Sequence, residues 1–173
     1  MNEWLQLLLC FVLAVLLRLY VVNFARIRGS SMLSTLHNSD WALVWRLPYR
    51  FRRPRRGEVV ICHFPGRSMR RCKRLPQAFV KRVIGLPGDT LEIIEGAVCI
   101  NGRRLDEPYL DPARCRSTRS CPARVLAEDE YFVLGDNRDR SNDSRRVGPI
   151  RRRDIRGQVV CILWPWHRWR PVR

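Results

Sequence analysis

Lysine is almost missing from this sequence. Lys73 and Lys81 are the only two among 33 basic residues; the rest are arginine. Arginine stays protonated in proteins, whereas a buried lysine can lose its proton. An arginine-biased coding sequence accounts for Lys73, but a lysine kept at position 81 raises a chemical question. Histidine is scarce too. His37, His63 and His167 lie far apart and no Cys-x-x-C pair occurs, so a zinc site is not expected. Acidic residues number 16, which leaves a formal net charge of +17. Such charge attracts anionic partners such as nucleic acid or lipid headgroups. The arginines are spread over the chain in three groups, Arg50 to Arg56, Arg67 to Arg74 and Arg138 to Arg156. No compact basic helix that could read bases is evident. There is no internal repeat, and 173 residues leave room for one domain with a real core.

The seven cysteines are an odd number. Cys62, Cys99 and Cys161 sit in apolar, strand-like runs and read as small buried hydrophobes. Cys10 lies in the apolar N-terminal run. Cys115 and Cys121 flank a short polar loop and could be joined if that loop faces an oxidising space.

One long apolar run is present, Trp4 to Val22, broken by Gln6 and Arg18. As a helix it would span about 28 Å, close to the roughly 30 Å of bilayer hydrocarbon. Arg18 near its end can snorkel, and Tyr20 suits the interface. A cleaved leader is the rival reading. Met-Asn-Glu lacks a positive side chain, and Asn23-Phe24-Ala25-Arg26 is a poor cleavage site, so a retained anchor over residues 1–25 is expected. Arg26 and Arg28 follow the run, and by the positive-inside rule they favour a cytoplasmic C-terminal domain.

The remainder, residues 26–173, reads as β-rich. Short β-branched or aromatic runs occur at Trp41 to Leu47, Glu58 to Phe64, Ala78 to Ile84, Thr90 to Glu95, Ala97 to Ile100, Tyr131 to Leu134 and Gln158 to Trp164. Glu95-Gly96 and Asn101-Gly102 signal hairpin turns. Pro48 to Gly57, Gly66 to Pro76 and Pro108 to Pro122 read as loops. The expected fold is mainly β, an antiparallel sheet domain preceded by one transmembrane helix.

Three stretches could carry chemistry: Gly29-Ser30-Ser31-Met32-Leu33-Ser34-Thr35-Leu36, Lys81-Arg82-Val83-Ile84-Gly85-Leu86-Pro87-Gly88-Asp89, and Gly135-Asp136-Asn137-Arg138-Asp139-Arg140-Ser141-Asn142-Asp143-Ser144-Arg145. Each alone has a dull reading: a hydrophilic exit from a membrane helix, an exposed strand end before a turn, and a polar or cation-binding loop. Together and in this order, with Arg56-Gly57-Glu58-Val59-Val60 and Asp106-Glu107-Pro108-Tyr109-Leu110 between them, the chain resembles bacterial type I signal peptidases over nearly its whole length. The third stretch fits that family's pattern Gly-Asp-Asn-Arg-x-x-Ser-x-Asp-Ser-Arg at every fixed position.

The resemblance implies roles at the matching positions. Ser31 stands at the nucleophile, with its backbone amide in the oxyanion hole, and Lys81 at the general base. Ser141 stands where a hydroxyl orients the lysine amine, and Asp143 and Arg145 at a supporting ion pair. Ile27, Met32, Leu36, Phe79 and Val80 align with positions lining pockets for small side chains. It further implies a membrane-bound endopeptidase that cuts signal peptides from preproteins after Ala-x-Ala. The catalytic domain would lie outside the cytoplasm at the plasma membrane, against the charge rule, beside anionic lipid and with no cofactor, metal or nucleic acid. Ser34 departs from the family's usual proline, which should loosen the turn after Ser31. Gly29 stands where some members carry a serine of the oxyanion hole.

The chemistry is coherent in itself. A serine hydroxyl is a weak nucleophile until a base takes its proton. Lysine, with an ordinary pKa of about 10.4, becomes such a base when burial lowers it to about 7–8. Phe79, Val80, Val83 and Ile84 offer apolar surroundings, and arginine at 81 would stay charged. The C-terminal Trp164-Pro165-Trp166-His167-Arg168-Trp169-Arg170 suits either an interfacial anchor or a cap on the β core. Two other readings remain open: a Ser/Lys protease with one dedicated substrate, and a membrane-tethered binding module whose affinity collapses with salt.

Overall fold

The computed structural model describes residues 2–16, 21–68, 76–116 and 120–172. Helix α1 (Glu3–Leu16) comes first. Its apolar side chains, among them Trp4, Leu8 and Phe11, are exposed. At 14 residues it is about 21 Å long. Among the described residues no helix is long and apolar enough to cross a membrane. Residues 17–20 of the expected Trp4–Val22 span lie outside the described residues. The end of that span is a strand: β1 (Val22–Arg26) pairs antiparallel with β2 (Trp41–Trp45), from Val22↔Trp45 to Arg26↔Trp41. The backbone of residues 22–25 therefore belongs to the sheet and not to an anchor ending at residue 25. Asn23 and Phe24 are exposed, so burial did not demand a helix there.

Two sheets follow. The larger also holds β3 (Val59–Ser68), β4 (Pro76–Gly85), β9 (Glu130–Leu134), β10 (Ile150–Arg151), β11 (Ile155–Trp164) and β12 (Arg170–Pro171). Its order is β1-β2-β11-β3-β4-β9-β10, with β12 added to β11, and each of these pairings is antiparallel. The smaller sheet is β7 (Arg103–Arg104), β6 (Ala97–Ile100), β5 (Thr90–Ile94) and β8 (Cys121–Val125), in that order. All seven expected strands are present. The two expected hairpin turns have positive φ at both central residues, Glu95-Gly96 and Asn101-Gly102, as a tight type I′ connection requires. The expected loop at 48–57 carries a single helical turn, α2 (Pro48–Phe51). The strand β8 begins inside the expected loop ending at Pro122.

Three apolar clusters make the core. Ile27, Met32 and Leu36 pack with Ala42 and Val44 of β2 and Val159 and Ile162 of β11. Val60 and Cys62 of β3 pack with Val83 and Val133. Leu91, Ile93 and Val98 of the small sheet pack against Ile84, Phe132 and Leu134 of the large one. Strand β4 lies between β3 and β9, and Lys81 to Gly85 are buried without a break. Alternation sends Lys81 and Val83 to one face and Arg82 and Ile84 to the other. A lysine is thereby carried into the interior by a strand that cannot move without tearing the sheet.

Candidate active site

The expected nucleophile sits in the turn that leads from β1 to β2. Backbone bonds from Leu33 to Ser30 and from Thr35 and Leu36 to Met32 close this turn. Met32 and Leu36 point into the core and hold it down. Ser31 is half-buried on its other side. Lys81 reaches it across the sheet: Nζ donates to Ser31 Oγ at 2.8 Å and to the Val80 carbonyl at 2.8 Å. The lysine side chain is almost fully enclosed, with 2% of the residue exposed. Phe79 presents its ring 5.8 Å from Nζ.

That burial lowers the Lys81 pKa, because the charged form is deprived of water. Cys62, Asp143 and Asp136 oppose the shift and Arg145 aids it, without reversing it. The Cys62 thiol itself is pushed up to about 12 by burial, so it remains neutral beside the amine. The result is an amine displaced toward its neutral form within bonding distance of a hydroxyl, which is the relation a general base needs with its nucleophile.

The third stretch forms the wall behind this pair. Asp143 is fully buried and caps α3 (Ser144–Val147). It accepts 2.8 Å bonds from Arg145 Nε and a terminal Arg145 nitrogen, and a 3.0 Å bond from the Gly135 N–H. Burial alone would raise its carboxyl, but the bonds and charge of Arg145 outweigh that and hold it below the usual range. Arg145 also donates to the Arg138 carbonyl at 2.8 Å. The ion pair expected of Asp143 and Arg145 is therefore formed.

Ser141 differs from its expected part. Its Oγ is buried and has no hydrogen-bond partner. It lies beside Gly135, near enough to the Asp143 carboxylate to help hold that carboxyl low, and makes no hydrogen bond to the Lys81 amine among the described residues. The bond that steadies the amine comes instead from the Val80 carbonyl, one residue back along β4.

In front of the pair a cleft of about 510 Å³ opens, with Ile27, Met32, Ile61, Phe79 and Val80 among its lining. Four of the five expected pocket residues are thus in place. Leu36 is not: it is fully buried among Val44, Val159 and Ile162, because its turn directs it inward. The apolar neighbours expected of Lys81 also need correction. Phe79 and Val83 share its face of β4, whereas Val80 and Ile84 face away, and Val60 and Cys62 of β3 lie opposite.

Comparison with known proteins bears on the family of the chain. A family profile described as signal peptidase, peptidase S26, matches residues 1–164. The chain is 39% identical over 160 residues to signal peptidase I of Leptolyngbya laminosa, spanning 92% of this chain and 77% of that one. It is 37% identical over 168 residues to probable signal peptidase I-2 of Synechocystis, covering 95% and 75% of the two chains. Against signal peptidase I of Bacillus licheniformis the identity is 31% over 174 residues, 95% and 89% of the two. The crystal structure of a signal peptidase I from Enterococcus faecalis superposes with a TM-score of 0.52 at 32% identity, covering 62% of this chain and 97% of that one.

This chain belongs to the signal peptidase family, peptidase S26. It is a serine peptidase and a hydrolase.

Several residues that bond to this candidate site had no role assigned from sequence. Asn137 holds the nucleophile turn: its N–H donates to the Ser31 carbonyl and its Nδ2 to the Ser30 carbonyl, both at 3.0 Å. Behind it, Arg82 is 1% exposed and binds Asp136 at 2.9 and 2.7 Å, Gly57 O at 2.7 Å and Thr35 Oγ1 at 3.1 Å. Its guanidinium stacks 3.8 Å from the Tyr109 ring centroid. Glu107 pairs with the buried Arg138. Asp136, Asn137 and Arg138 stood in the third stretch as pattern alone; only the approach of Ser30-Ser31 and Arg82 reveals what they bind.

The turn itself contains another departure. Ser34 has φ +113°, a value closed to proline, whose ring fixes φ near −65°. Its Oγ donates to the Tyr109 carbonyl at 3.2 Å and its own carbonyl accepts from Arg170 at 3.2 Å. The turn is therefore tied down rather than loosened. No disulfide joins Cys115 and Cys121: the first closes a 3-10 turn (Pro112–Arg114) and the second is fixed in β8 opposite Ile93.

Proposed function

We propose that this chain is a membrane-bound endopeptidase that removes N-terminal signal peptides from preproteins, with Ser31 as nucleophile and Lys81 as general base. The observation that carries this reading is the 2.8 Å contact between a fully enclosed lysine amine and Ser31 Oγ. The neutral amine takes the hydroxyl proton as Oγ attacks the scissile carbonyl carbon. The oxyanion formed is received by the Ser31 N–H. Collapse of this intermediate passes the proton from Nζ to the departing amine and leaves an acyl-serine ester. Water, deprotonated by the same amine, then hydrolyses the ester and regenerates Ser31. Asp143, Arg145 and Asn137 position the pair.

Specificity follows from the shape of the cleft. Beside Ser31 its floor is Ile27, Met32, Phe79 and Val80. An extended peptide adding along β4 would send alternate side chains there. Small apolar residues fit without leaving polar groups unpaired, which suits Ala-x-Ala. The apolar side chains exposed around α1 support membrane attachment, since water is a poor solvent for such a helix. A preprotein substrate calls for a peptidase domain on the extracytoplasmic side of the plasma membrane, and the chain's net charge of +17 favours anionic lipid there.

The test is cleavage of a preprotein ending its leader in Ala-x-Ala by the full chain in detergent. Wild type should cut after the second Ala, and Ser31→Ala and Lys81→Arg should both be inactive. An active Lys81→Arg enzyme would remove Lys81 from the role of base, since arginine keeps its proton.

A further inference from the structure

The cleft has an apolar floor and a basic rim. Arg26, Arg28 and Arg140 line it together with Ser31 and Lys81, and among the described residues no aspartate or glutamate does. Arg26 is engaged, donating to Ser39 Oγ at 3.3 Å. Arg28 and Arg140 are exposed, and among the described residues neither guanidinium meets an acid within ion-pair distance. Other arginines near the site are occupied: Arg82 by Asp136, Arg138 by Glu107 and Arg145 by Asp143. Asp136, Glu107 and Asp143 are thus turned inward onto those arginines, and the charged side chains that line the cleft are of one sign.

We propose that Arg28 and Arg140 select substrates bearing a carboxylate side chain close to the scissile bond. This rests on the signal-peptidase reading of the same cleft. The apolar floor leaves no partner for a charge at the pocket positions, so the carboxylate belongs on residues flanking them, at the rim. There a planar guanidinium can take it through two parallel bonds. Both arginines are solvated, so each contact contributes modestly and is screened by salt.

The experiment uses the full chain in a neutral detergent. The substrates are Ala-x-Ala peptides that differ only in carrying Asp, Asn or Lys at one flanking position, on either side of the cut. At low salt wild type should prefer the Asp over the Lys peptide in kcat/KM by about threefold to tenfold at one or more positions. The preference should fade at 1 M salt, where the screening length falls to about 3 Å. Arg28→Glu and Arg140→Glu should invert it toward Lys. Arg103→Glu, on the exposed β7 strand, changes net charge equally and should keep it. The Asp/Lys ratio is taken within each enzyme, so a variant that folds poorly still reports, and the salt titration of wild type needs no variant.

Equal cleavage of all peptides by wild type, or inversion by Arg103→Glu as well, overturns the proposal while leaving the signal-peptidase reading intact. A rim that serves lipid headgroups would show no peptide preference in neutral detergent and a gain with anionic lipid lost in the Arg28 and Arg140 variants; that too overturns it. Cleavage of none of the peptides overturns both.

Discussion

Lys81 is kept in an environment that opposes its charge, and stability should record this. Its folded pKa is lowered, so between that value and about 10.4 the unfolded chain binds more protons than the folded one. Stability attributable to this residue therefore rises with pH through that window, and the penalty is full below the folded value. Lys81→Met should abolish activity, by about a thousandfold or more. It should also raise resistance to denaturant, with the largest gain at the acid end. Equal or lower stability across the whole pH range would contradict the burial argument. A second consequence concerns the acid limb of kcat/KM against pH, which on the proposed mechanism follows deprotonation of Lys81. Asp143 holds that pKa up and Arg145 holds it down. Asp143→Asn removes the one and leaves the other, so the limb should move to lower pH even as the maximal rate falls. A limb that stays or moves up would rule out this coupling. Ser31 and Lys81 were legible as residues because motif order and the rarity of lysine single them out. Ser141 was legible by position only, since whether its hydroxyl finds the amine is decided by loop geometry that no spacing encodes.

At the scale of elements, the turn after β1 and the loop after β9 approach so closely that Gly135 has no room for a side chain. A Cβ there would stand 2.5 Å from the Ser31 carbonyl oxygen and strike Ser141 as well. Gly135→Ala should cut kcat by about a hundredfold, a size seen when reacting groups shift by an ångström. It should also destabilise the fold; activity within a few-fold of wild type would show that the two segments can part. Ser34, at φ +113°, should tolerate glycine with a gain of about 1 kcal/mol in denaturant unfolding. Ser34→Pro should lose stability, because its ring cannot reach that φ. Strands with clear alternation or apolar runs were readable from sequence, and all seven appear. The strand β1 was not, because Val22 closes the apolar run and the mixed Asn23-Phe24-Ala25-Arg26 after it carries no strand signal of its own. Strands β7, β10 and β12 were not, because two-residue pairings exist only through the neighbours that recruit them.

For the whole molecule, the buried Arg82–Asp136 pair joins β4 to the loop after β9 and, through Thr35, to the nucleophile turn. Asp136→Ala would strand a guanidinium that is 1% exposed. The expected loss is about 3–5 kcal/mol in equilibrium unfolding, and a loss under 1 kcal/mol would mean that water reaches the site. Composition could announce a basic protein but not this arrangement, in which Asp136, Glu107 and Asp143 pair with Arg82, Arg138 and Arg145.

The nucleophile turn is also braced from far along the chain. Arg170 donates to the Thr35 carbonyl at 2.8 Å across 135 residues, and Arg168 pairs with Asp40 at 3.1 Å across 128. Because Arg168 and Arg170 stand near the end of the sequence, the turn bearing Ser31 leaves the ribosome long before the side chains that brace it. On the proposed mechanism, a nascent chain carries its serine and its lysine before the arginines that brace the turn, and cutting should begin once Arg168 and Arg170 have emerged and docked.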